Sequence, residues 1–147
     1  MDPRLIDVRN RTYRQFVDLG RAPTAADVAQ GADLSLDQIY ASWRRLHGAH
    51  ALVLNLAMNE IRMANPFSAV PTAYRVRAAG RWWYANCAWD AIGICAALHT
   101  DGRIETSCPD SGEAITLDVR DQRVAEDRLV FHCLVPAARW WEDIVFT

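Results

Sequence analysis

Two prolines, Pro66 and Pro71, stand where the hydrophobic periodicity of this chain changes from that of helices to that of strands. Proline lacks the backbone N–H and pushes the residue before it out of helical geometry. The chain therefore builds one kind of structure before residue 65 and another after it. On the N-terminal side Leu5, Val8, Thr12, Phe16 and Leu19 recur at spacings of three and four, an amphipathic stripe that Gly20 ends. Thr24-Ala25-Ala26-Asp27 has the form of a capping box with Asp in place of Glu, opening a short helix that stops at Gly31. Ser35-Leu36-Asp37-Gln38 opens a third helix, with Leu36, Ile39, Tyr40, Trp43 and Leu46 on one face and Gly48 at its end. Two apolar runs, 51–54 and 61–63, flank a polar turn around Asn55 and Asn59 and predict a hairpin. Three helices followed by a hairpin is the winged-helix order.

Beyond the prolines the pattern is of short strands: 74–77, 81–84, 103–107, 114–119 and 129–134. Gly80 and Asp110-Ser111-Gly112 mark turns, and one helix over about 88–98 interrupts the strands. The expected fold is α+β. A winged-helix-like helical domain over residues 1–64 precedes a mixed or antiparallel β-sheet domain with one inserted helix over 65–147.

Of the 147 residues, 51% are hydrophobic and 23% charged, which excludes a disordered chain and permits a real core. No stretch reaches the ~18 uninterrupted apolar residues of a membrane span. Met1-Asp2-Pro3-Arg4 carries an acid and no apolar run, unlike a signal peptide, so the expected location is the cytoplasm. The net charge of −2 gives no whole-chain attraction to nucleic acid. A reading in which the third helix enters a major groove would put Arg44 and Arg45 on phosphates. With so few basic residues on that helix, we expect it to pack rather than read bases. The four cysteines, Cys87, Cys95, Cys108 and Cys133, contain no CxxC pair and are expected to be thiols.

The segment richest in chemistry runs from Trp83-Tyr84-Ala85-Asn86-Cys87 to Ala88-Trp89-Asp90. A strand ends and a helix begins near Cys87. The helix dipole and free N–H groups there favour thiolate. Asp90, three residues on, falls on the same helix face. A thiolate beside a carboxyl group is a nucleophile or soft-metal ligand next to a proton donor and acceptor. The same residues also read as a small buried thiol and a first-turn acid. Trp82, Trp83, Tyr84 and Trp89 are the expected lining of a pocket shared by the pair. Cys95 reads as packing in mid-helix, and Cys108, before Pro109, as structural. His132 and Cys133 adjoin on an expected strand, where neighbours face opposite ways and cannot form a working pair. His47, His50 and His99 have no metal-ligand spacing.

With Asn65-Pro66-Phe67-Ser68, Ser107-Cys108-Pro109 and Val135-Pro136, this segment resembles the alkylmercury (organomercurial) lyases of bacterial mercury resistance. The resemblance implies a winged-helix-like N-terminal domain and a C-terminal mixed sheet carrying the site. It implies protonolysis of a carbon–mercury bond, in which two thiolates bind mercury and an aspartate supplies the proton. Cys87 matches the first cysteine, Asp90 the aspartate, and Cys108 a third cysteine that is structural. Mercury is held by Cys87 as part of substrate or product, in keeping with its softness, and no cofactor is implied. The partners implied are an organomercurial small molecule and, as mercury acceptors, cellular thiols or mercuric reductase. The second catalytic cysteine of the family falls directly after the position of Thr147, where a cysteine or selenocysteine codon would supply it, and Cys133 is not at its place. The 147-residue chain is thus expected to capture mercury through Cys87 and to turn over slowly.

Two other classes fit the same residues: a non-enzymatic binder of soft metals or thiol-reactive ligands, and a winged-helix regulator with a ligand domain. Salt-dependent DNA affinity would mark the regulator. Residues 1–64 are expected to show no sequence-specific DNA binding. A gel shift with specific, salt-sensitive retardation at submicromolar protein would overturn this.

Overall fold

The structure is a computed structural model describing residues 2–125 and 128–145. The chain divides into two compact units, Met1–Ala64 with Ser68–Val70, and Asn65–Phe67 with Pro71–Thr147.

The first unit holds α1 (Pro3–Leu19), α2 (Ala25–Ala29), α3 (Leu36–Gly48) and a hairpin of β1 (Val53–Leu54) and β2 (Ile61–Ala64). Each helix starts where a side chain satisfies an otherwise orphaned amide. Asp2 accepts from the Arg4 N–H at 3.0 Å. Both capping boxes close: Thr24 with Asp27, and Ser35 with Gln38. Gly20, at φ 68°, ends α1 in the left-handed conformation and donates to the Phe16 carbonyl. The Thr12 position in the apolar stripe proves to be a polar joint. Its hydroxyl donates to the Val8 carbonyl at 2.8 Å and accepts from the Trp43 indole N–H at 2.9 Å.

The second unit carries β4 (Tyr74–Ala78), β5 (Arg81–Ala85), α4 (Ala88–Ala97), β6 (Gly102–Ser107), β7 (Ala114–Arg120) and β8 (Arg123–Val124). Its strands run in the order β5-β4-β6-β7-β8, each pairing antiparallel. β3 (Phe67–Ser68) precedes them and flanks β5 through Phe67. Helices followed by an antiparallel sheet make the fold α+β. The β4–β5 turn places Ala79 and Gly80 at φ 51° and 73°, the two-residue hairpin turn whose twist suits the flanking strands.

Alternation along the strands sorts the sheet into two faces. Val76, Ala78, Trp83, Ala85 and Ile104 are buried, and α4 packs on β4, β5 and β6 with Ala91, Ile94 and Cys95 buried. The other face is polar. Arg75 pairs with Glu105, Arg103 with Asp118, and Arg75 stacks over Trp82 at 4.4 Å from the ring centre. Exposed pairs of this kind stabilise little and serve mainly to keep that face in water.

One expected strand does not form. Residues 129–134 are irregular, and Leu129, Val130, Phe131 and Leu134 are exposed. The tight turn after β7 lets β8 take its free edge locally, ahead of the more distant apolar run. Beyond Pro136, Ala137–Glu142 forms a 3-10 turn clamped by an Arg139–Glu142 ion pair at 2.7 Å. Phe146 and Thr147, next to the place the resemblance gives the second cysteine, lie outside the described residues.

Two glycines set how closely α4 sits. A Cβ on Gly93 would lie 3.2 Å from the Pro66 ring. One on Gly102 would lie 2.5 Å from the Cys95 sulfur and 3.0 Å from the Arg77 carbonyl oxygen. Gly102→Ala is expected to destabilise by about 1–3 kcal/mol, the usual range for overpacking. Cys95→Ala in the same chain should recover part of that loss. A urea-unfolding double-mutant cycle measures both, and strict additivity would refute the contact.

Candidate functional site

β5 runs out at Ala85, Asn86 turns the chain, and Cys87 is the N-cap of α4 with an extended backbone (φ −151°, ψ −178°). Asp90 lies in the first turn. Both side chains are half-buried. Cys87 and Asp90 thus lie within one helical turn, with the Asp90 charge in electrostatic reach of the thiol.

Their acidities are set mainly by burial. Loss of water pushes the Cys87 thiol above its ordinary range. The amides of Asp90 and Trp89 pull it down, and the charges of Asp90 and Cys133 push it further up. Those amides face the sulfur without closing a capping hydrogen bond. The expectation of a thiolate favoured by the helix end is therefore corrected: desolvation outweighs the helix end. Asp90 is likewise raised by burial, against a hydrogen bond from Asn86 that favours its charged form. Among the described residues, the resting pair is a neutral thiol beside a carboxyl that holds its proton to higher pH than usual.

The segment before β4 braces this turn. Asn86 donates through Nδ2 to Asp90 Oδ2 at 2.8 Å and, at the limit of bonding, to Asn65 Oδ1 at 3.4 Å. Pro66 approaches Gly93 on α4. Phe67 packs on Trp83, ring centres 5.1 Å apart. Asn65, Asn86 and Tyr74 were not legible as site residues. Tyr74 shares the α4-facing side of β4 with Val76, and its hydroxyl is raised by burial and by the charge of Cys87. Placing Tyr74 there requires knowing that β4 ends opposite Ala85.

The aromatic residues part company. Trp89 is 64% exposed and meets Phe131 at 6.1 Å between ring centres. Trp83 is buried, its indole N–H donating to the Ala78 carbonyl at 3.0 Å, so it supports the site from within the core. Trp82 and Tyr84 alternate onto the opposite, polar face of β5. Neighbours on one strand cannot all face one side, so the shared lining expected of these four is not assembled from β5. Phe131 instead stands beside Trp89. The irregular segment carrying Phe131 also brings exposed Cys133 within electrostatic reach of Cys87.

Elsewhere, Cys95 is buried against Gly102. Half-buried Cys108 has its thiol pulled down by hydrogen bonds from the Ser111 hydroxyl and the Ser111 and Asp110 amides. His47 Nδ1 accepts from the Leu54 N–H at 3.2 Å, a joint within the first unit. A shallow depression lined by Arg77, Gly80, Asp101 and Arg120 lies at the far end of β4 from Cys87. No group of three His, Cys, Asp or Glu among the described residues is arranged to hold a metal ion. No helix among them is long and apolar enough to cross a membrane.

No curated protein matches the chain. Among solved structures, the mercury-bound form of MerB2 superposes with a TM-score of 0.65 at 22% identity, covering 83% of this chain. The match spans 58% of that protein's length. The alkylmercury lyase family model matches residues 67–147, which include β4, β5, α4, Cys87, Asp90, Asn86 and Tyr74. That match takes in more than half of the sequence, and the chain belongs to the alkylmercury lyase family.

Proposed function

We propose that the chain cleaves carbon–mercury bonds by protonolysis, with Cys87 capturing the mercury and Asp90 delivering the proton. The observation that carries this reading is the pairing of Cys87 and Asp90 in the half-buried first turn of α4, both raised toward their protonated forms. An organomercurial cation, R–Hg⁺, is a soft electrophile and replaces the thiol proton to form a sulfur–mercury bond. The displaced proton passes to Asp90. Asp90 then gives it to the carbon, the carbon–mercury bond breaks, and the hydrocarbon R–H leaves. The thiol proton thus becomes the proton on the product, and charge and atoms balance without a cofactor. Mercury left on Cys87 takes a second soft donor. Cys133 is one source and cellular thiols another, with the latter also carrying mercury away.

Exposed Trp89 and Phe131 beside the pair favour an apolar organic group. Trp82 and Tyr84, on the other sheet face, are assigned no direct contact with substrate. Trp83 acts by holding Phe67 and β5 in place. The winged-helix-like unit over residues 1–64 is assigned a packing role, with the chemistry in 65–147.

Benzene release from phenylmercury under excess thiol tests the proposal. Cys87→Ser is expected to abolish release and to remove capture at position 87, read by peptide-resolved mass spectrometry because exposed Cys133 remains a soft donor. Asp90→Asn should retain capture and slow release by about 10²–10⁴-fold, the usual worth of a positioned general acid. Release undiminished in either variant would remove that residue from the mechanism. Capture with no release by the unaltered chain would leave a soft-metal binder.

The raised thiol has its own readout. Iodoacetamide labelling of Cys87 should rise with pH through a midpoint above that of an exposed thiol, because burial must be overcome to form the thiolate. Asp90→Asn removes a like charge and should move that midpoint down. Peptide-resolved mass spectrometry across pH measures both. A midpoint below the ordinary thiol value would show that the helix end outweighs burial.

A further inference from the structure

We propose that Asn86 is the positioning residue of Asp90, its side-chain amide holding Oδ2 in both protonation states and leaving Oδ1 to carry the proton to substrate. This rests on the reading of Asp90 as the acid. The contact is a direct one, Asn86 Nδ2 to Asp90 Oδ2 at 2.8 Å. On the same amide, Asn86 Oδ1 is shut off from solvent and has no hydrogen-bond partner among the described residues. A buried amide oxygen without a partner is uncommon and calls for an account.

A proton donor passes through two states that ask opposite things of a neighbour. The carboxylate needs a hydrogen donor, and the protonated acid needs an acceptor. An asparagine amide offers both, exchanged by a half-turn of the amide group. As drawn, Nδ2 serves the carboxylate and Oδ1 waits. With the proton on Asp90 Oδ1, Oδ2 is a carbonyl oxygen that still accepts from Nδ2, and only a proton on Oδ2 calls for the half-turn that brings Asn86 Oδ1 to it. An arginine or lysine here would serve the carboxylate alone and drain the acid of its proton at neutral pH. An apolar side chain would leave the carboxyl free to rotate away from the carbon it must reach. Asn65 steadies the amide from behind through its Oδ1 at 3.4 Å, held next to Pro66 where that ring meets Gly93. Of the titratable groups nearby, the charges of Asp90 and Cys133 bear on Cys87, and that of Cys87 bears on Tyr74.

The test uses the unaltered chain and two variants, Asn86→Leu and Asn86→Asp. In the unaltered chain, the Asn86 side-chain ¹⁵NH₂ resonances should shift with pH at the midpoint of the Asp90 ¹³C carboxyl titration. Asn86→Leu should move that carboxyl midpoint upward, keep stoichiometric phenylmercury capture, and slow benzene release about 10–100-fold. Asn86→Asp should raise the Asp90 midpoint further through like charge, with release recovering as pH is lowered. Asn86 resonances blind to the Asp90 titration would overturn the proposal, even if neither variant folds. So would wild-type release by Asn86→Leu with an unmoved carboxyl midpoint. Failure of the unaltered chain to release benzene would sink the lyase reading, while the two NMR titrations would still decide the Asn86–Asp90 coupling.

Discussion

Desolvation of the first turn of α4 is the constraint on which the rest of this site depends. Left in water, a cysteine at a helix start leans toward thiolate and an aspartate is an anion. Neither would then hold a proton to give. Burial works against both tendencies, raising the thiol and the carboxyl together. Close seating of α4 contributes to that burial, and a side chain at Gly102 would meet the Cys95 sulfur while one at Gly93 would press on the Pro66 ring. Backbone spacing far from the sulfur therefore bears on how well the turn is shielded from water. This link from packing to chemistry runs through Pro66, Cys95 and the Arg77 carbonyl, none of which touches the reacting groups.

The helices of the first unit were legible because their signals are local. A capping box needs only four residues, and the Thr24–Asp27 and Ser35–Gln38 boxes both form. The strands of residues 74–120 were legible by alternation and turn residues. Two-residue strands such as Phe67–Ser68 and Arg123–Val124 offer no period to read, since alternation needs four residues or more. The 129–134 run misled for the converse reason: it has strand composition but pairs with no strand among the described residues. Strand propensity describes fitness for a half-buried pleated surface, and these side chains remain in water.

The site was legible in part. Cys87 and Asp90 were marked by a strand-to-helix boundary and a three-residue spacing, and both are local properties. The direction of the thiol shift was not, because burial of the turn depends on segments up to 22 residues away in the chain, Asn65 through Phe67 among them. A pair of adjacent tryptophans drew attention as lining, yet a strand sends neighbours to opposite faces. Trp83 accordingly joins the core while Trp82 stacks under Arg75. Asn86 sat in plain view beside Cys87. Nothing in its own sequence context reveals that its amide turns toward Asp90 rather than toward solvent.

The pair also carries an electrostatic logic of its own. The Asp90 charge raises the cost of a thiolate at Cys87, so a half-buried thiolate and carboxylate do not readily coexist there. Binding a soft cation at sulfur changes that balance. Once mercury is bound, the sulfur carries neither a proton nor an uncompensated charge beside Asp90. The proton leaving sulfur has a carboxyl one helical turn away whose burial already favours the protonated form. Capture of the metal and loading of the acid thus become one event rather than two. A hard cation, which thiolate binds poorly, would not trigger it. Selectivity for soft electrophiles in the proposed reaction follows from this coupling as much as from the affinity of sulfur for mercury.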